Sequence, residues 1–173
     1  ETAPDMVGKF WDFLAGKPLF AQRVRDVLAI VKWIKESDLG AENIKYWGKG
    51  MGALYGAFAG VMNENLSGFI MEEPLLSFES VVQVKVPGYD NEIMLPGILE
   101  KFDMPQLYQV LAPRPVSILN PLLGNENNAG KSDINEMNQL VLPAYKVMEK
   151  DDAWMVKNVN ERTRDKTIIR SLD

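Results

Sequence analysis

Apolar and polar positions change rhythm along the chain, and the changes divide it into alternating elements. Between Ala21 and Glu36, the residues Val24, Val27, Leu28, Val31 and Ile34 recur at helical spacing, which predicts one buried stripe. Ser37-Asp38-Leu39-Gly40 ends it. The short apolar run Ile44–Trp47 predicts a strand, and the small apolar residues from Ala53 to Met62 predict a helix packed closely on a sheet. Ser67 to Met71 reads as a second strand, closed by Glu72-Glu73-Pro74. Residues 75–102 carry less pattern, with a helix near Ser77 to Val84 and turns at Pro87-Gly88 and Pro96-Gly97. Asp103, with Pro105 two residues on, predicts a helix start that runs to about Leu111. The carboxylate caps free amides there, and proline is tolerated in a first turn because its missing N–H has no helical partner.

Pro113-Arg114-Pro115 stops that helix, Val116 to Asn120 is a third strand, and Gly124 to Lys131 is a polar loop. Ser132 or Asp133 then caps a further helix, with Glu136 spaced for a capping box and a stripe of Ile134, Met137, Val141, Ala144, Tyr145 and Met148. Ala153 to Val159 makes a fourth strand, and Asn160 to Asp173 a charged, partly helical tail. Residues 1–20 read as a loop with a short aromatic helix around Phe10, Trp11 and Phe13. Helix and strand thus alternate four times, which predicts parallel β/α units, a doubly wound α/β sheet and one domain over residues 1–173.

Composition narrows the chemistry. With 173 residues, 46% of them hydrophobic, the chain can bury one core. Its net charge of −5 is spread along the sequence, so there is no basic footprint for nucleic acid. No apolar run approaches the roughly 20 residues that cross a bilayer. The chain opens Glu1-Thr2-Ala3-Pro4, without an initiator methionine or a visible targeting segment, and so reads as a mature form or a fragment. Cysteine is absent, which excludes disulfides and thiolate nucleophiles. Histidine is absent as well, and that count decides more. Imidazole is the usual general base near neutral pH and the commonest metal ligand, so neither a Ser-His-Asp mechanism nor a histidine zinc site can be assembled from this chain alone. No metal and no cofactor is expected.

The predicted strand, glycine turn and small-residue helix form the local context of a nucleophile elbow, Gly-x-Ser-x-Gly. Here the frame reads Gly48-Lys49-Gly50-Met51-Gly52, with both flanking glycines in place and Gly50 at the nucleophile position. Glycine tolerates the bent backbone but offers no attacking oxygen.

Around that frame the sequence resembles a family. Trp47 to Ala53, then Gly68-Phe69-Ile70-Met71-Glu72-Glu73-Pro74-Leu75-Leu76-Ser77-Phe78, is similar to the elbow and following strand of bacterial acetyl-xylan-esterase-like α/β-hydrolases. Leu95-Pro96-Gly97-Ile98-Leu99, Phe102 to Leu107, and Leu111-Ala112-Pro113-Arg114-Pro115 running into Asn120-Pro121 resemble the same group, as do Trp11 to Phe20 and Gln22 to Asp26. The resemblance covers nearly the whole chain. It implies a three-layer sandwich around a mostly parallel sheet of about four strands, equivalent to the C-terminal half of an α/β-hydrolase. It also implies serine ester hydrolysis, a carbohydrate ligand, and a secreted or periplasmic setting. Against the family's pattern, Gly50 replaces the serine, Leu122-Leu123-Gly124 stands where an acid is expected (Leu123 nearest it), and the histidine region is Asn158 to Arg164. The expectation is a catalytically inactive esterase-like domain. The alternative is the C-terminal part of an active carbohydrate acetyl esterase whose remaining groups lie on an N-terminal part or another chain.

Other motifs read more plainly. Gly50, Met51, Glu72 and Glu73 sit at strand ends, where α/β sheets place ligands, although a glutamate pair is more often solvated. Asp151-Asp152 reads as a turn. Asn125 to Ser132 ends in Gly-Lys-Ser, a near miss to a phosphate loop that lacks the first glycine and makes nucleotide binding a remote reading. Asn65-Leu66-Ser67 fits a glycosylation acceptor in a eukaryotic secretory setting alone. Met51, Met62, Met137 and Met148, with Trp11, Trp33, Trp47 and Trp154, are expected in the core. Without an N-terminal neighbour, the Ile44–Trp47 strand is an unpaired apolar edge, expected to be covered by a second copy or a companion N-terminal half.

Overall fold

The computed structural model describes Gly16 and residues 18–38, 41–89 and 91–172. The aromatic helix expected around Phe10, Trp11 and Phe13 lies outside the described residues. Helix α1 spans Leu19–Glu36, strand β1 Ile44–Lys49, α2 Met51–Met62, β2 Leu66–Glu72 and α3 Phe78–Gln83. They are followed by α4 (Met104–Leu111), β3 (Val116–Leu119), α5 (Lys131–Val147), β4 (Trp154–Lys157) and α6 (Glu161–Leu172). The four strands lie in the order β1-β2-β3-β4, and every neighbouring pair is parallel.

The elements are an α/β sandwich in three layers, as the sequence predicts. Because strand order follows chain order, right-handed crossovers carry every connecting helix to one face. No reversal of the doubly wound kind occurs among the described strands. On that face Phe69, Met71, Val116, Ile118, Trp154 and Val156 meet residues of α1, α2, α4 and α5 in one core. The opposite face is covered by α6, where Ile70, Leu119 and Ile168 form a much smaller cluster.

Helix α2 shows why its small residues matter. A Cβ built on Gly56 would stand 2.0 Å from the Tyr46 ring, and one on Gly60 would stand 2.4 Å from the Phe69 ring. The strand aromatics thus occupy space that side chains on the helix would need, and backbone approaches sheet directly. Arg114 closes the far end of α2. Its Nη1 donates to the carbonyls of Gly60 (2.8 Å), Asn63 (3.3 Å) and Leu66 (3.1 Å), supplying donors that helix-end carbonyls lack. Its guanidinium also lies 5.3 Å from the Phe69 ring centre.

Asp103 caps α4 as expected, within a full capping box completed by Gln106. It does more than the sequence implied, because it also accepts from the Phe78 and Glu79 amides of α3, at 2.6 and 3.1 Å. One carboxylate thus fixes two helices. Helix α5 starts earlier than predicted: Gly130 is its N-cap, and the Asp133 carboxylate reaches back to the Gly130 amide at 2.7 Å. Glu136 is not the capping partner. In its stripe Met137, Val141 and Tyr145 are buried, whereas Met148 is exposed beyond the helix end.

Several aromatic and methionine expectations are corrected. Trp154 is buried, but Trp33 and Trp47 are 64% and 52% exposed, and Met62 is exposed as well. Periodicity marks the face a residue lies on, not whether another element reaches over it. Trp11 lies outside the described residues.

Candidate functional site

Residue by residue, the Gly48–Gly52 frame folds as an elbow. Gly50 has φ 56° and ψ −125°, a backbone that L side chains rarely adopt. Its amide donates to the carbonyl of Glu72 at 2.8 Å, tying the bend to the end of β2. A Cβ on Gly50 would meet nothing within 4 Å, so the apex of the bend opens into free space. Gly48 is glycine for another reason: a Cβ there would lie 2.7 Å from the Gly52 carbonyl group and from the Tyr46 ring. Tyr46 also donates its hydroxyl to the Gly52 carbonyl at 2.7 Å. Burial holds that phenol above its ordinary pKa, so it stays a neutral donor.

Beside the elbow lies a buried carboxylate, and here the solvated reading of the two glutamates is half overturned. Glu72 is 3% exposed. Its Oε1 accepts from the Trp47 indole at 2.7 Å and from Arg164 Nη2 at 2.9 Å, while Oε2 accepts from Arg164 Nε. This is a bidentate pair, the geometry in which a guanidinium binds carboxylate most specifically. The carboxylate in turn holds the Arg164 guanidinium above its ordinary pKa, chiefly through these hydrogen bonds. Glu73 keeps the solvated character expected of it, forming a partly exposed ion pair with Lys49 at 2.9 Å.

Sequence reasoning placed Arg164 only at the end of the expected histidine region and missed its pairing with Glu72. It lies 92 residues from Glu72 in a charged helix, and nothing local distinguishes it from Arg162 or Arg170. The expected acid region pairs with the segment that follows β2: the Leu122 amide donates to the Pro74 carbonyl at 2.8 Å, while Leu123 packs against the main core and lines a cavity with Ser77, Asp103 and Met137. Around the expected histidine region, Asn158 Nδ2 donates to the Ala129 carbonyl at 2.8 Å, and the Asn160 side chain caps the Thr163 amide at 3.0 Å. The second of these bonds caps the start of α6.

The elbow carries no side chain, and both Glu72 oxygens are held by a cation and an indole. Among the described residues no group of three or more acidic side chains is placed to hold a metal ion. The Gly130-Lys131-Ser132 stretch does not form a phosphate loop. Asp133 puts a carboxylate on the Gly130 amide, where a phosphate would need a free donor.

A solved structure of a candidate acetyl xylan esterase from Bacteroides fragilis superposes on this fold with a TM-score of 0.72 and 17% sequence identity. The match covers 91% of this chain and 40% of that one. The fold is α/β-hydrolase-like. The chain spans about two-fifths of the length of that structure. No protein-family model matches the sequence, and no curated protein is significantly similar to it.

Proposed function

We propose that this chain is a catalytically inactive esterase-like domain with a binding or structural role. The observation that carries the reading is Gly50, a residue without a nucleophile at the apex of an elbow whose geometry is otherwise complete, in a chain without histidine. The tying of Glu72 to Arg164 and Trp47 supports it further, because it occupies the carboxylate nearest the bend. By analogy with the esterase-like structure, a carbohydrate is the ligand class proposed for the elbow end, near Gly50, Met51, Glu72 and Glu73.

A fluorophosphonate probe tests this directly. Wild type is expected to remain unlabelled and to leave p-nitrophenyl acetate intact. Labelling of wild type, or turnover lost in Glu72→Gln, overturns the proposal. Gly50→Ser has room for its side chain, but the positive φ costs it about 1–2 kcal/mol of stability.

A second reading is favoured by one observation: the solved structure extends well beyond the matched region. In that reading the chain is the C-terminal part of a carbohydrate acetyl esterase, and a companion N-terminal part supplies the missing groups. Both readings propose a cover for β1, which ends the sheet among the described strands and leaves Trp47 half exposed. Light scattering separates them from a bare monomer: a dimer supports self-coverage, and a monodisperse 19.5 kDa species overturns it. Esterase activity that appears on adding an N-terminal companion chain establishes the second reading.

A further inference from the structure

At the end of the sheet opposite the elbow, a cavity of about 700 Å³ opens between α6 and the strands. Lys45, Ser117 and Met155, each the second residue of its strand, project into it from the α6 face. The chain is acidic overall, yet four of its cations gather here, Lys45, Lys150, Lys157 and Arg170, against one carboxylate, Asp152. Lys45 donates to the Leu172 carbonyl. Lys150, Lys157 and Arg170 have no ion-pair partner among the described residues. Clustering like charge with so little compensation costs stability, and an anion bound among the charges removes that cost.

The wall between the cations is hydroxylic. Ser117 and Thr167 are both 8% exposed, and with Glu72 they are the buried polar or charged residues among those described. Thr167 Oγ1 donates to the Thr163 carbonyl at 2.9 Å and Ser171 Oγ to the Thr167 carbonyl at 3.1 Å. With the Ser171 proton on the Thr167 carbonyl, the proton in the 2.9 Å bond between Ser117 and Ser171 comes from Ser117. All three protons are engaged within the protein, so what the hydroxyls have left for a ligand is acceptor lone pairs. Cations that need an anion therefore flank acceptors that need a hydroxyl donor.

We infer that this cavity is a binding site for a small polyhydroxylated anion, a sugar phosphate or a sugar acid. Its volume lies in the range of small-molecule pockets. The site shares no residue with the elbow and does not depend on the reading of that end.

Calorimetric titration of the full chain at low salt, with glucose 6-phosphate, gluconate, inorganic phosphate and glucose, tests the inference. At least one of the two hydroxylated anions is expected to bind more tightly than inorganic phosphate, and which one does so distinguishes phosphate from carboxylate recognition. Glucose is expected not to bind. Lys157→Gln and Arg170→Gln change exposed side chains and should fold normally, each weakening the anion about tenfold through loss of a charge-assisted contact. Ser117→Ala should weaken glucose 6-phosphate or gluconate and leave inorganic phosphate unchanged. Absence of binding by every anion, glucose binding as well as its phosphate, or full affinity in both charge variants overturns the proposal.

Discussion

On one side of the sheet, Tyr46, Phe69, Met71, Val116, Ile118, Trp154 and Val156 join residues of five helices, α1 to α5, in a continuous apolar core. On the other, the alternate residues of the same strands, Trp47, Ile70, Glu72, Ser117, Leu119 and Met155, meet one helix. Among the described residues, the buried polar and charged ones, Glu72, Ser117 and Thr167, all belong to this thinner side. A strand's two-residue period gives both faces the same backbone and the same register, so the difference comes from what covers them. The thick side has enough apolar area to hold the fold. The thin side can therefore carry an ion pair, a hydroxyl chain and a cavity without losing it.

That division can be broken or sharpened by substitution. The largest effect should come from the thick side: Leu54→Ala removes a fully buried side chain and is expected to cost about 2–5 kcal/mol in urea denaturation. Ile168→Ala on α6 should cost less, about 2 kcal/mol, because its cluster is small. Equal losses at the two positions would remove the distinction between the faces.

Among the described residues, the thick side also holds two buried hydroxyls without a partner, those of Tyr108 and Tyr89. Removing an unsatisfied hydroxyl relieves its desolvation, so Tyr108→Phe should stabilise the protein by about 1 kcal/mol. Burial raises the pKa of Tyr108 and Tyr145 above their ordinary value of 10.0. The folded state then keeps protons that the unfolded chain releases above pH 10, so stability is full below that pH and falls as pH rises beyond it. Tyr108→Phe should lessen the alkaline loss, as thermal melts at pH 9 and pH 11 would reveal.

Smaller effects belong to the thin side. Glu72→Gln should move the Trp47 indole N–H resonance in a proton–nitrogen spectrum, since that group loses a charged acceptor at 2.7 Å. An unmoved resonance would mean the indole bond contributes nothing. Lys157→Gln, at an exposed position, should change stability by no more than about 0.5 kcal/mol while weakening anion binding.

Much of this was legible beforehand where the signal is local. Asp103 and Pro105 announced a helix start because capping chemistry acts within one turn. The Gly48–Gly52 frame announced the elbow because few residues tolerate its backbone. Trp33 and Trp47 misled because apolar character records preference, while exposure depends on whether another element reaches that spot. Glu72 was read as solvated for the same reason: its burial depends on Arg164, which sequence distance conceals.

The sequence by itself determined the alternation of helix and strand, the parallel sheet, the bent glycine turn and the want of imidazole. Each of these follows from residue type and short-range spacing. Tertiary structure alone decided that Arg164 meets Glu72, that the connecting helices share one face, and that Lys45, Ser117, Thr167 and Arg170 surround one cavity. Those pairings span many tens of residues. They are set by crossover handedness and packing, which leave no periodic trace in the chain.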